Sequence, residues 1–177
     1  MRGPWRMPGE GHARSVVLSG PLDHFCASDA AAHLLALDLD DPISPIEVLV
    51  GTPVGSVRAA LALGDVLCEI SAPTLTVGLG SLGLPGALVL VTGRRRRALE
   101  HCQIDLFFTS GSSWCDASTP VTVQANEAVL LRESVLLTLL KRTRLSQAEL
   151  FRRLRVPQPM SAQEAWSSGL IDEVQRR

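Results

Sequence analysis

The sequence predicts an α/β protein built on a largely parallel sheet. Three observations lead there. Short runs rich in Val, Ile and Leu alternate with segments of helical periodicity from Ser15 to Phe108. The chain has 177 residues, enough for one core of ordinary size. Apolar residues make up 46% against 20% charged, the balance of a globular protein. Aromatics reach only 4% and tyrosine is absent, so the core has to be built from Ala, Val, Leu and Ile.

Each element follows in order. "SVVLSG" (15–20) is an apolar strand ending at a glycine. "SDAAAHLLALDL" (28–39) is a helix for which Ser28 serves as N-cap. "IEVLVG" (46–51) is a second strand, and residues 55–70 form a helix with Val57, Leu61, Val66 and Ile70 at helical spacing. "TLTVGLG" (74–80) is the third strand. "LPGALVLV" (84–91) is the next helix, with Pro85 in the first turn, where a missing N–H costs the helix nothing. "CQIDLFF" (102–108) reads as the fourth strand, and residues 109–121 as a Ser/Thr/Gly/Pro loop. A long helix then runs from about Val123 to Arg142. Ala128, Leu131, Val135 and Leu139 form one apolar stripe on it, but Val129, Leu130, Leu136, Leu137 and Leu140 widen the apolar surface beyond one packed face. We therefore expect assembly through the first four. "SQAE" (146–149) and "SAQE" (161–164) are capping boxes, and Gly169 suits a C-cap before "LIDEV". Residues 1–14 are expected as a flexible tail and 15–177 as one domain.

Composition excludes several functions. Net charge is −1, so no global field attracts nucleic acid, and few aromatics are present on which bases would stack. Cys26, Cys68, Cys102 and Cys115 form no CxxC or CxH pair, so a zinc site is not expected. No other metal and no cofactor is expected. Cys68 and Cys102 read as small core residues, and Cys115 as the most reactive. His24 and His33 read as structural. No secretory signal is visible, and the expectation is a cytoplasmic protein with reduced thiols.

The stretch "TVGLGSLGLPGALVLVTGRRRR" (76–97) invites three readings. From Ile70 to Gly93 there is no charge, as in a membrane span, but Pro73, Pro85 and five glycines argue against one. Gly78, Gly80 and Gly83 have the spacing of a dinucleotide loop, with Asp105 near the ribose-binding offset. That fingerprint belongs after the first strand, and here two precede it. Ser81 lacks the flanking glycines of a nucleophile turn, and His101 and Asp105 are not required by spacing to serve it. Arg94–Arg97 reads as a solvated charge run.

Several segments resemble one family in order. "GTPVGSVRAALALGDVL" resembles the "NSPGGSV" turn and helix of the Clp protease proteolytic subunit (ClpP). "VGLGSLGLPGALVLVTG" resembles its "VGQAASMGALLLAAG" segment, "ANEAVLLRE" the start of its handle helix, and "MSAQEAWSSGLIDEV" its C-terminal "LSAxEAxxYGLVD". The likeness spans about Ser15 to Val174. It implies a ClpP/crotonase-like spiral of strand-helix units with a protruding handle helix.

The resemblance also implies where a catalytic triad would stand. Anchored on Gly86 and Ala87, the serine position is Leu84. The histidine position is Phe107 and the aspartate position is Pro157. Acyl transfer needs a nucleophile, a base and a group that orients the base, and Leu, Phe and Pro supply none. The oxyanion donors match Pro85, which has no N–H, and the turn at Val54, where valine replaces a glycine. The resemblance therefore implies a catalytically degenerate homologue, of the kind called ClpR-like. It would be a structural or regulatory member of a ring-shaped ATP-dependent protease, in a homo- or hetero-oligomer with active Clp proteolytic subunits. An AAA+ Clp ATPase would be reached through that complex, with no nucleic-acid or membrane partner. Two alternatives stand beside it: an active serine endopeptidase whose triad lies elsewhere, and a crotonase-like acyl-CoA-binding protein.

Overall fold

In a computed structural model of the chain, residues 14–108 and 121–175 are described, with side chains in the second segment from Asn126 onward. The expected tail up to residue 13, the loop 109–120 and Cys115 lie outside the described residues.

Five parallel strands form the main sheet: β1 (Ser15–Ser19), β2 (Ile46–Gly51), β3 (Thr74–Gly78), β5 (Arg95–Leu99) and β8 (Glu173–Gln175), side by side in that order. A second sheet joins β4 (Ser81–Leu82), β6 (Gln103–Ile104) and β7 (Met160–Ser161), with β4–β6 parallel and β6–β7 antiparallel. Each of its strands is a short excursion from the main sheet: β4 follows β3, β6 follows β5, and β7 precedes β8. The helices are α1 (His24–Asp40), α2 (Val57–Glu69), α3 (Leu84–Thr92), α4 (Val121–Arg142), α5 (Gln147–Arg155) and α6 (Ala162–Ser167). The α/β class and parallel sheet expected from the sequence are present.

The uncharged run from Ile70 to Gly93 is neither a span nor a phosphate loop. No helix among the described residues is long and apolar enough to cross a membrane. The run folds as β3, β4 and α3, and every residue of α3 is buried. A helix that is apolar all round belongs in a core. Its surroundings satisfy the few polar groups: Thr76 Oγ1 donates to the Leu90 carbonyl at 2.7 Å, and Thr92 Oγ1 to that of Val89 at 2.8 Å.

Several expectations are corrected. Helix α1 starts four residues before Ser28, because Asp23 is the N-cap and accepts from Cys26 N–H at 2.8 Å. Helix α2 turns Val57, Ala60, Leu63 and Leu67 to the core, whereas Leu61 and Val66 are only partly buried. The fourth main-sheet strand is not "CQIDLFF", of which only Gln103–Ile104 is strand; it is the arginine run, as β5 between β3 and β8. Arg94 and Arg95 are exposed as expected, but Arg96 and Arg97 are largely covered and pair with Asp172 and Glu173 on and beside β8. Arg94 donates to the Ile70 carbonyl at 3.0 Å.

Ser146 caps α5, but Glu149 turns to Arg152 and Arg153 instead of reaching back, so only "SAQE" forms a full box. Gly169 follows α6 with φ +70°, the left-handed C-terminal stop. On α4, Leu131, Val135 and Leu139 are buried in the chain's own core and Ala128 is half-buried. Among the described side chains of α4, the large apolar ones left exposed are Val129, Leu130 and Leu137. Cys102 is buried as expected. Cys68 is exposed, and Arg142 Nη2 lies 3.1 Å from its sulfur.

Candidate functional site

A cleft of about 220 Å³ opens at the N-terminus of α3. One wall is the turn after β2, with Pro53, Val54 and Gly55. The opposite wall is the β4–α3 connection from Ser81 to Pro85, and the segment after β6 contributes Gln103, Asp105 and Phe107.

The two walls meet without a side chain between them. Gly83, the N-cap of α3, donates its N–H to the Thr52 carbonyl at 3.0 Å. A Cβ at Gly83 would stand 2.1 Å from the Pro53 carbonyl oxygen, so only glycine permits this approach. The other wall is fixed by the pairing of Leu22 with the turn. Leu22 N–H donates to the Val54 carbonyl at 3.0 Å, and Ser56 N–H donates to the Leu22 carbonyl at 2.7 Å. Gly55 between them has φ +150°, a conformation that side chains resist. Ser56 then caps α2 by accepting from Ala59 N–H.

Four of the five positions singled out from the sequence line this cleft: Val54, Leu84, Pro85 and Phe107. The fifth does not. Pro157 is exposed beyond α5, and the proline at the cleft wall is Pro159. Leu84 is 2% exposed, its side chain packed into the core beneath the opening. Val54 is 56% exposed at the rim. Pro85 stands second in α3, so the N–H of that position is absent from the helix end facing the cleft.

The polar groups here are Ser81, Gln103 and Asp105. Asp105 Oδ1 accepts from Phe107 N–H at 3.0 Å. Ser81 and Asp105 therefore share a cleft, whereas His101 is not among its lining residues. No histidine, cysteine, lysine or arginine is among the described residues that line it. Gly78, Gly80 and Gly83 form no phosphate cradle. Gly80 makes the turn between β3 and β4, and Gly83 is closed off by Pro53.

Sequence reasoning passed over Gln103 and Pro159. The signal for Gln103 was present: residues 103, 105 and 107 alternate along an extended segment and so reach one side. Phe107 is half-buried there, while Phe108 turns inward under the Arg132 guanidinium, 5.2 Å from the ring centre. The neighbouring Cys102 thiol is buried, and burial pushes its pKa up to about 12.

The family model described as Clp protease matches residues 11–177. The ATP-dependent Clp protease proteolytic subunit of Deinococcus radiodurans is 31% identical over 162 residues, covering 91% of this chain and 79% of that protein.

Proposed function

From the premise that the chain belongs to the Clp protease family, we propose that it is a catalytically degenerate proteolytic-subunit homologue. It serves as a structural or regulatory member of a ring-shaped ATP-dependent protease, together with active subunits. The observation that carries this reading is the cleft at the start of α3, lined by Leu84 and Pro85, the residues that the resemblance matches to the nucleophile and an oxyanion donor. A leucine offers no atom for acyl transfer, and a proline offers no N–H to a developing oxyanion.

Two further features support it. Phe107, which the resemblance matches to the base, lines the same cleft. Ser81, the hydroxyl available there, has Asp105 nearby but no histidine among the lining residues, and Asp105 already accepts from Phe107 N–H. A hydroxyl without a base stays a weak nucleophile. Loss of a full triad costs about 10⁶-fold, and loss of one oxyanion donor about 10² to 10³. The outward apolar side chains Val129, Leu130 and Leu137 of α4 support assembly with other subunits. The proposed setting is the cytoplasm, in one domain spanning 15–177, without a cofactor, and with an AAA+ ATPase engaged through the complex.

The test is a purification from the source cells that determines native mass and identifies every co-purifying chain. It is paired with a fluorophosphonate label and a peptidase assay on the pure chain. The expected result is a large assembly containing intact Clp subunits, with no label and no cleavage by this chain alone. Covalent labelling of Ser81, or peptidase activity abolished by Ser81→Ala, would overturn the degenerate reading.

A further inference from the structure

Strand β1 ends the main sheet. Its inner edge is fully used. Glu47 N–H donates to the Arg14 carbonyl at 2.9 Å, and Gly20 N–H donates to the Gly51 carbonyl at 3.0 Å. Between these limits β1 and β2 run in parallel register from Ser15↔Glu47 to Ser19↔Gly51. Along a strand, alternate residues direct their N–H and C=O groups to the same side. Val16 and Leu18 therefore face β2, and the backbone groups of Ser15, Val17 and Ser19 face away from it. Among the described residues no backbone group pairs with those three.

A cleft of about 360 Å³ runs along this open edge and shares no lining residue with the cleft at α3. One wall is β1 with the turn after it. The other is the flank of α1, where Cys26, Asp29 and His33 recur at helical spacing. We propose that this cleft binds an extended peptide segment with basic side chains, added to β1 as a further strand of the sheet.

The backbone of β1 presents three N–H and three C=O groups over roughly 17 Å, the repeat an added strand requires. Exposed edges are normally guarded by lysine, proline or a bulge. Ser15–Ser19 has neither lysine nor proline, its register with β2 is unbroken, and Val17 is 58% exposed. The charge of the partner follows from the far wall. The titratable groups lining the cleft are Cys26, Asp29 and His33, with no lysine or arginine among them. Asp29 is the carboxylate among these lining residues; farther along α1, Asp38 accepts from Ala72 N–H at 2.7 Å and Asp40 pairs with Arg14. A carboxylate beside an open edge, with no lysine or arginine lining the cleft to neutralise it, selects Lys or Arg on the incoming strand.

The probe is a seven-residue peptide of alternating Lys and Val, blocked at both ends and titrated against the full chain by fluorescence anisotropy. Saturable binding is expected, with the Glu–Val counterpart at least about tenfold weaker. N-methylation of one alternate set of peptide nitrogens is expected to weaken binding about tenfold, and methylation of the other set to leave it unchanged, because only one edge of the peptide meets β1. Val17→Pro removes one outward N–H without touching the β2 ladder and is expected to weaken binding by a similar factor. Asp29→Asn is expected to weaken it about threefold. Absence of saturable binding overturns the proposal. So does binding that is indifferent to both methylated sets, which would be attraction by charge alone. A native mass that doubles with concentration and is restored to a monomer by Val17→Pro would assign the edge to a second copy instead.

Discussion

Arg96 holds Asp172 through three donors. Its backbone N–H and Nε donate to Oδ2 at 2.9 and 3.1 Å, and Nη2 donates to Oδ1 at 2.5 Å. The same guanidinium reaches the carbonyls of Arg142 and Gly169 through Nη1. One side chain thus joins β5, the end of α4 and the turn before β8. Partial burial pushes the Asp172 carboxyl upward, but the hydrogen bonds and charge of Arg96 outweigh it and hold the pKa below its ordinary 3.8.

Asp172→Asn should therefore destabilise the fold in a pH-dependent way. The Asp172 side chain is 45% exposed, so solvent screening limits the loss at neutral pH to about 1 to 2 kcal/mol. The folded pKa is depressed, so the contribution is present above about pH 4 and disappears as pH falls through the folded value. Urea melts of both proteins from pH 7 to pH 3 should converge at the acid end. A difference that stays constant with pH would show that the carboxylate charge is not what matters.

Gly83→Ala should be among the costliest single-methyl additions in the chain. Its Cβ would lie 2.1 Å from a backbone oxygen of Pro53, which cannot rotate away, and overpacking of this kind costs about 3 kcal/mol. Gly80→Ala is the control. That Cβ meets nothing within 4 Å, so only the left-handed backbone at φ +60° is penalised, by about 1 kcal/mol. Thermal unfolding of the two variants should rank them in that order.

Leu84→Ser should fail as a restoration of activity and should also cost stability. The leucine is buried in the core, and trading it for a hydroxyl removes about 2 to 4 kcal/mol of packing. Hydrolysis of a peptide substrate should stay at background in Leu84→Ser and in Leu84→Ser with Phe107→His, since Pro85 still supplies no N–H. Measurable turnover by the single variant would contradict this.

Thiol labelling should separate the cysteines by burial. Cys26 and Cys68 are exposed and should react with maleimide in the native protein. Cys102 is buried with its pKa near 12, so almost no thiolate forms at pH 8, and its labelling should await unfolding. Mass spectrometry of labelled peptides before and after denaturant reads this directly.

Much of this protein follows from local pattern. The runs "SVVLSG", "IEVLVG" and "TLTVG" are strands, and "LPGALVLV" is a helix, because period and β-branching act within a few residues. The helix caps at Ser161 and Gly169 are likewise local chemistry. The convergence of Val54, Leu84, Pro85 and Phe107 was anticipated because a family resemblance carried the long-range information.

What only the tertiary structure decided depends on partners far away in the chain. Arg95–Leu99 is a strand because Asp172 and Glu173, 76 residues on, receive its guanidinium groups, while β3 and β8 receive its backbone. No window of sequence contains both halves of that arrangement, so the run looks like a solvated surface. The same holds for α4, where Leu131, Val135 and Leu139 are one apolar stripe among several. Packing against the rest of the core, not periodicity, chose which stripe is buried and which leaves Val129, Leu130 and Leu137 outward. Sequence alone determines which segments are strand or helix where the signal is short-range. The fold determines which charges are neutralised and which apolar faces remain, because both are settled by contacts between residues that are distant in the chain.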